Sequence, residues 1–96
     1  DVVFTFKNKI TKDEINKVLK EAAEGKLKGI LAYTEEPLVS IDFTSNPNSS
    51  IVDAQMTTVV GDHQAKILSW YDNEYGYSNR LCELAIMVGS KLPVAA

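Results

Sequence analysis

Trp70-Tyr71-Asp72-Asn73-Glu74-Tyr75-Gly76-Tyr77-Ser78-Asn79-Arg80 is where a strand pattern turns into a helix pattern. On the N-terminal side, Ala65 to Tyr71 alternates. Ile67, Ser69 and Tyr71 share one face, and Lys66, Leu68 and Trp70 share the other. Apolar groups on both faces predict a strand covered on both sides, so that the pair it forms with Ile51 to Val60 is interior to a larger sheet. On the C-terminal side, Tyr77, Leu81, Leu84, Ala85 and Val88 recur at helical spacing, and the pattern ends near Gly89. Between the two, Asp72, Asn73 and Glu74 suit a helix's first turn, where amide and carboxylate oxygens meet free N–H groups and the positive end of the dipole. Ile86 and Met87 widen the apolar arc, so this helix needs more than one covering surface.

Working outward, Ile51 to Val60 reads as a strand, and Gly61-Asp62 as the turn that folds it back onto Ala65 to Tyr71. Val39 to Ser50 is rich in Ser, Asn, Asp and Pro and reads as ordered loop, with Val39, Ile41 and Phe43 available to pin it to the core. Ile30 to Tyr33 is a brief strand stopped before Pro37. Thr11-Lys12-Asp13-Glu14 has capping-box spacing, since the Thr11 hydroxyl can accept from the amide of residue 14 while Glu14 reaches back. Ile15, Val18, Leu19 and Ala22 form an apolar stripe behind it, and Gly25 is a natural stop, giving a helix over Lys12 to Glu24. Val2 to Phe6 reads as a strand with Val2, Phe4 and Phe6 on one face. The expected class is α+β, a mixed or antiparallel sheet carrying two helices.

The 96 residues permit one modest core, and an apolar content of 45% excludes wholesale disorder. Net charge is −3, and apart from Lys7, Lys9 and Lys12 the basic residues are dispersed, which argues against a nucleic-acid surface. No apolar run approaches the ~20 residues of a membrane span. No signal peptide is expected, and a start at Asp1 that reads as already inside a fold predicts a piece of a longer protein.

One cysteine, Cys82, and one histidine, His63, leave little for catalysis. Cys82 stands beside Leu81 and near Leu84, which predicts a buried or half-buried packing thiol. One His and one Cys are too few for a structural zinc site, which wants about four such ligands. No glycine-rich phosphate loop, paired metal ligands or nucleophile constellation is present. Pattern alone names no reaction.

The segment Trp70 to Arg80 closely resembles the signature near the C-terminus of glyceraldehyde-3-phosphate dehydrogenases. Three further stretches agree in order. Leu27-Lys28-Gly29-Ile30-Leu31-Ala32-Tyr33-Thr34-Glu35 is similar to the family's LKGILGYTE, Val39-Ser40-Ile41-Asp42-Phe43 to its VSSDF or VSTDF, and Ser49-Ser50-Ile51-Val52-Asp53-Ala54 to its SSIFDA. Ile41, where Ser or Thr is usual, and Val52, where an aromatic is common, read as packing variation.

The resemblance implies that residues 1–96 are the C-terminal portion of the catalytic domain, without the NAD-binding Rossmann domain. It implies a parent enzyme that oxidises glyceraldehyde 3-phosphate with phosphate to 1,3-bisphosphoglycerate through a cysteine thioester. That enzyme would use NAD, with NADP open, and would be a cytoplasmic homotetramer. The nucleophile's Ser-Cys-Thr-Thr-Asn motif is absent here, so no catalytic residue is assigned, and no metal. Two cofactor contacts carry over. Asn73 matches the asparagine that binds the nicotinamide carboxamide, its competing role being a plain helix cap. Tyr77 matches a tyrosine beside that pocket, its competing role being core packing. Trp70 and Glu74 read as scaffolding. Two readings stand beside this one. The first is erythrose-4-phosphate dehydrogenase of the same family. The second is a non-enzymatic packing module, motivated by the apolar breadth of the last helix.

Overall fold

The computed structural model describes residues 1–94. In chain order the elements are β1 (Val2–Thr5), α1 (Lys12–Glu24), β2 (Leu31–Thr34), a short 3-10 helix (Ser40–Phe43), β3 (Ser50–Asp53), a second 3-10 turn (Ala54–Met56), β4 (Thr58–Val60), β5 (Gln64–Ile67), β6 (Ser69–Trp70) and α2 (Tyr75–Ser90). The class is α+β as expected, but the strands form two three-stranded sheets. One has the order β1-β5-β4 and is antiparallel throughout. The other has the order β2-β3-β6, with β2 parallel and β6 antiparallel to the central β3.

The division arises because both arms of the expected long hairpin are broken. Residues Ala54–Met56 coil into a 3-10 turn instead of continuing the strand. The turn's carbonyls are taken from outside the sheet: Asn16 Nδ2 donates to the Ala54 oxygen at 3.1 Å, and Lys12 Nζ to the Gln55 oxygen at 3.1 Å. These two bonds tie the turn to α1, and the strand ladder resumes only at β4. The opposite arm breaks at Leu68, whose carbonyl accepts from the Asp53 amide at 3.0 Å and so still ties the arms together. The expected pair is interior only in part: β3 and β5 are the central strands of the two sheets, whereas β4 and β6 are edges. The turn at Gly61 has φ 62°, the left-handed value that glycine accommodates.

Helix α1 forms as its sequence dictates. Thr11 Oγ1 accepts from the Glu14 amide at 3.2 Å, and Glu14 Oε2 accepts from the Thr11 amide at 2.9 Å, a complete capping box. Gly25 follows the helix and donates its N–H to the Glu21 carbonyl. Replacing Thr11 by Ala removes one half of the reciprocal pair and should lower stability by about 1 kcal/mol. A melting curve unchanged from the parent chain would contradict this.

Ile15, Phe43, Ile51, Val52, Ala54 and Ala65 make the buried apolar core, with Asp53 and Thr57 as buried polar residues. In the 39–50 loop only Phe43 pins the chain. Val39 and Ile41 are 58% and 78% exposed, because the 3-10 geometry turns only one of the three inward. Helix α2 is buried only at Gly76 and carries Leu81, Leu84, Ile86, Met87 and Val88 at least half exposed. Its expected need for covering surfaces is therefore unmet among the described residues. Cys82 corrects an expectation: it is exposed, because the helix on which it sits is bare along that length.

Candidate functional site

Residues 70–74 lead from β6 into α2, and Trp70 and Asp72 fix the turn by side-chain contacts. Trp70 donates its indole N–H to Asp53 Oδ2 at 3.1 Å. Its ring stacks on Phe43, with centroids 5.7 Å apart and an interplanar angle of 17°. Tyr71 turns outward. Asp72 does not cap the helix as its position suggests. Its Oδ2 accepts from the Ser45 amide at 2.7 Å, tying the turn to the loop that carries Phe43. Ser45 itself has φ 63°. Asn73 is exposed, and its carbonyl accepts from the Tyr75 amide at 2.6 Å.

Glu74 is the N-cap residue of α2, held left-handed at φ 52°, and makes no side-chain cap bond. A non-glycine residue there carries backbone strain. Gly76 explains why the strain persists. A Cβ at Gly76 would lie 2.5 Å from the Asn48 carbonyl oxygen and 3.0 Å from Ser49 Cα, so the helix start is pressed onto the 48–49 backbone. Asn79 Nδ2 closes the first turn by donating to the Tyr75 carbonyl at 2.8 Å.

The plain-cap reading of Asn73 thus has no counterpart in the fold, since the cap position falls on Glu74. Asn73 lines a hollow of about 350 Å³ with Ser40, Ile41, Thr44, Tyr71 and Asp72. Tyr77, 68% exposed, is not core in these residues. It lines the adjoining hollow of about 420 Å³ with Ser49, Tyr71, Asp72 and Arg80. The two predicted residues therefore lie on neighbouring hollows that share Tyr71 and Asp72. Arg80 is not free to clamp an anion: its guanidinium donates to both Glu83 oxygens, at 2.9 and 2.7 Å, and to Ser49 Oγ at 3.2 Å. Trp70 is scaffolding, as its stack and hydrogen bond require.

The single histidine and the single cysteine lie on different elements. His63 lies in the β4–β5 turn with Nδ1 3.2 Å from the Phe6 carbonyl oxygen, and Cys82 lies on α2. Among the described residues no cluster of His, Cys, Asp or Glu is arranged to hold a metal, and no helix is long and apolar enough to cross a membrane. The largest hollow, about 580 Å³, opens between α1 and β2 and is lined by Lys20, Tyr33 and Glu35 among others. Burial first, then the Glu35 and Asp13 carboxylates, raise the Tyr33 phenol above its ordinary value. Two contacts here escape sequence reading, Asp53 with Trp70 and Asp72 with Ser45. Each joins residues 17 or 27 positions apart, with no local spacing to mark it.

Fold and site together define an α+β segment that presents an exposed amide on a braced strand-to-helix turn. Residues 1–73 match the family model described as glyceraldehyde 3-phosphate dehydrogenase, C-terminal domain, and the chain belongs to that family. It is 53% identical over 91 residues to glyceraldehyde-3-phosphate dehydrogenase 1 of Bacillus subtilis, covering 95% of this chain and 27% of that protein. It is 50% identical over 92 residues to glyceraldehyde-3-phosphate dehydrogenase 2 of Streptomyces avermitilis, covering 96% of this chain and 28% of that protein. With the Geobacillus stearothermophilus glyceraldehyde-3-phosphate dehydrogenase the identity is 50% over 91 residues. The chain thus spans little more than a quarter of the length of these relatives.

Proposed function

We propose that this chain is the C-terminal portion of the catalytic domain of an NAD-dependent, phosphorylating glyceraldehyde-3-phosphate dehydrogenase, and that its own chemical contribution is to hold the nicotinamide ring. The observation that supports this reading is the placement of Asn73. Its side chain is exposed on a turn whose neighbours are fixed on both sides, by the Asp72–Ser45 bond before it and the Gly76 contact after it. An amide suits a carboxamide because it offers one donor and one acceptor in a plane, matching an acceptor and a donor on the ligand. Tyr77 offers an exposed ring face in the adjoining hollow.

A dinucleotide held here would supply the hydride acceptor for the aldehyde oxidation. Asn73 fixes which ring face meets the aldehyde, a positioning contribution. The Ser-Cys-Thr-Thr-Asn motif that carries the nucleophile is absent from the sequence, so in this reading the thiol and its base belong to the rest of the parent enzyme. By itself the chain is therefore inactive and binds NAD weakly, since one amide contact is a small part of a dinucleotide site. Glyceraldehyde 3-phosphate and phosphate are the substrates of the parent enzyme, a cytoplasmic homotetramer in this reading. The bare apolar surfaces of β1 and α2 are of the kind that assembly covers.

In the protein expressed with its full reading frame, Asn73→Ala should lower kcat/KM for NAD about tenfold, the scale of losing one to two hydrogen bonds. An analogue lacking the carboxamide should lose that sensitivity. A variant with unchanged kcat/KM would remove Asn73 from the cofactor site. Assays with glyceraldehyde 3-phosphate and erythrose 4-phosphate side by side identify the aldehyde.

A further inference from the structure

Asp53 ends β3 with its carboxylate turned into the protein. The residue is 4% exposed, Oδ1 has no partner among the described residues, and Oδ2 accepts only from the Trp70 indole. For stability alone this is a poor use of a core position, because a buried carboxylate with one neutral donor is under-compensated and an apolar side chain would pack without that burden. What the arrangement does is orient Trp70. That residue ends β6, three positions before Asn73, and its ring lies flat on Phe43. Two residues past Phe43, the Ser45 amide donates to Asp72. The turn and the Ser40–Phe43 helix are therefore joined at two points, and the hollow that Asn73 lines is walled by these same two segments.

We propose that Asp53 is a positioning residue for the nicotinamide contact. By fixing the indole edge it sets the rotation of Trp70, and through the stack on Phe43 it sets the spacing of the two walls that present Asn73. This rests on the reading of Asn73 given above. The lever is one hydrogen bond acting on a turn braced elsewhere, so the expected effect on KM for NAD is about fivefold.

The test uses the protein with its full reading frame and four variants, Asp53→Ala, Asp53→Asn, Trp70→Phe and Asn73→Ala. Hydrogen exchange of the peptide covering 71–76 is read without cofactor by mass spectrometry, and KM for NAD and kcat are read with it. Asp53→Ala and Trp70→Phe should speed exchange at 71–76 and raise KM for NAD about fivefold, with kcat changed less. Asp53→Asn keeps an acceptor for the indole and should recover both. Adding Asp53→Ala to Asn73→Ala should change KM little further. The proposal is overturned if exchange and KM stay at parent values while only the melting temperature falls, or if Asp53→Asn is as impaired as Asp53→Ala. Where Asp53→Ala does not fold, Trp70→Phe decides by its exchange at 71–76 read against its melting temperature, because it removes the N–H while leaving a smaller aromatic ring against Phe43. Failure of the cofactor reading shows separately, as an unchanged KM in Asn73→Ala, and exchange at 71–76 still reports whether Asp53 holds the turn.

Discussion

Gly76→Ala should destabilise the chain by about 2 kcal/mol even though it replaces a poor helix former with the best one. Two effects oppose each other. Alanine is favoured over glycine inside a helix by up to ~1 kcal/mol, and less in the first turn, where Gly76 lies. Against this, the new methyl would sit 2.5 Å from the Asn48 carbonyl oxygen and 3.0 Å from Ser49 Cα, both backbone atoms with no flexible end to swing away. Overpacking of this kind typically costs 1–3 kcal/mol, so the clash wins. For a domain of this size the melting temperature should fall by roughly 8–16 °C. Because α2 must lift off the 48–49 backbone, Asn73 and Tyr77 move with it, and the cofactor contact should weaken in the same variant. Gly89, near the far end of the same helix, is the control. A Cβ there meets nothing within 4 Å, so Gly89→Ala should leave stability unchanged or raise it by a few tenths of a kcal/mol. Thermal unfolding of the two variants checks the pair. Equal melting temperatures would mean that the close approach at Gly76 does not constrain α2.

What the sequence made legible follows the range of the interactions. The α1 capping box joins residues three apart, so Thr11 and Glu14 announce it by spacing alone. The turn at Gly61 is equally local. The break at Ala54–Met56 has no local marker, and the contacts that hold it against the rest of the fold come from Lys12 and Asn16, 43 and 38 residues away. Phe43 and Ile41 make the same point within one loop: both are apolar, and only the one that meets Trp70 is buried. The left-handed Glu74 has no marker, because glycine would be expected there. Asn73 is a different case. Pattern placed it in a helix's first turn, and only the likeness of Trp70–Arg80 to a known signature gave it a cofactor role. The fold contributes its exposure and its braced neighbours.

The 96-residue chain alone should self-associate, and the surface responsible is α2. Leu81, Leu84 and Val88 form one stripe, and Met87 and Ile86 carry the apolar surface around the helix, all of them half exposed or more. Covering five such half-exposed side chains on each of two copies contributes on the order of 8–15 kcal/mol by transfer, while association costs about 4–15 kcal/mol in lost freedom. The balance favours assembly at concentrations of order 10–100 µM, with no tight dimer required. Changing Leu84→Glu and Val88→Lys together places an acid and a base four residues apart on the helix, keeps good helix formers, and removes the centre of the stripe. The doubly substituted chain should remain monomeric by light scattering where the parent chain does not. A parent chain that stays monomeric at several hundred micromolar would show that the bare helix carries too little net apolar surface to associate. In the longer protein proposed here, the same helix leads directly from the turn that holds Asn73, so the surface that covers α2 must also approach the nicotinamide. On that reading α2 is where the cofactor domain docks, and the two substitutions should weaken NAD binding there without touching a cofactor contact. Normal NAD affinity in that variant would place the docking surface elsewhere.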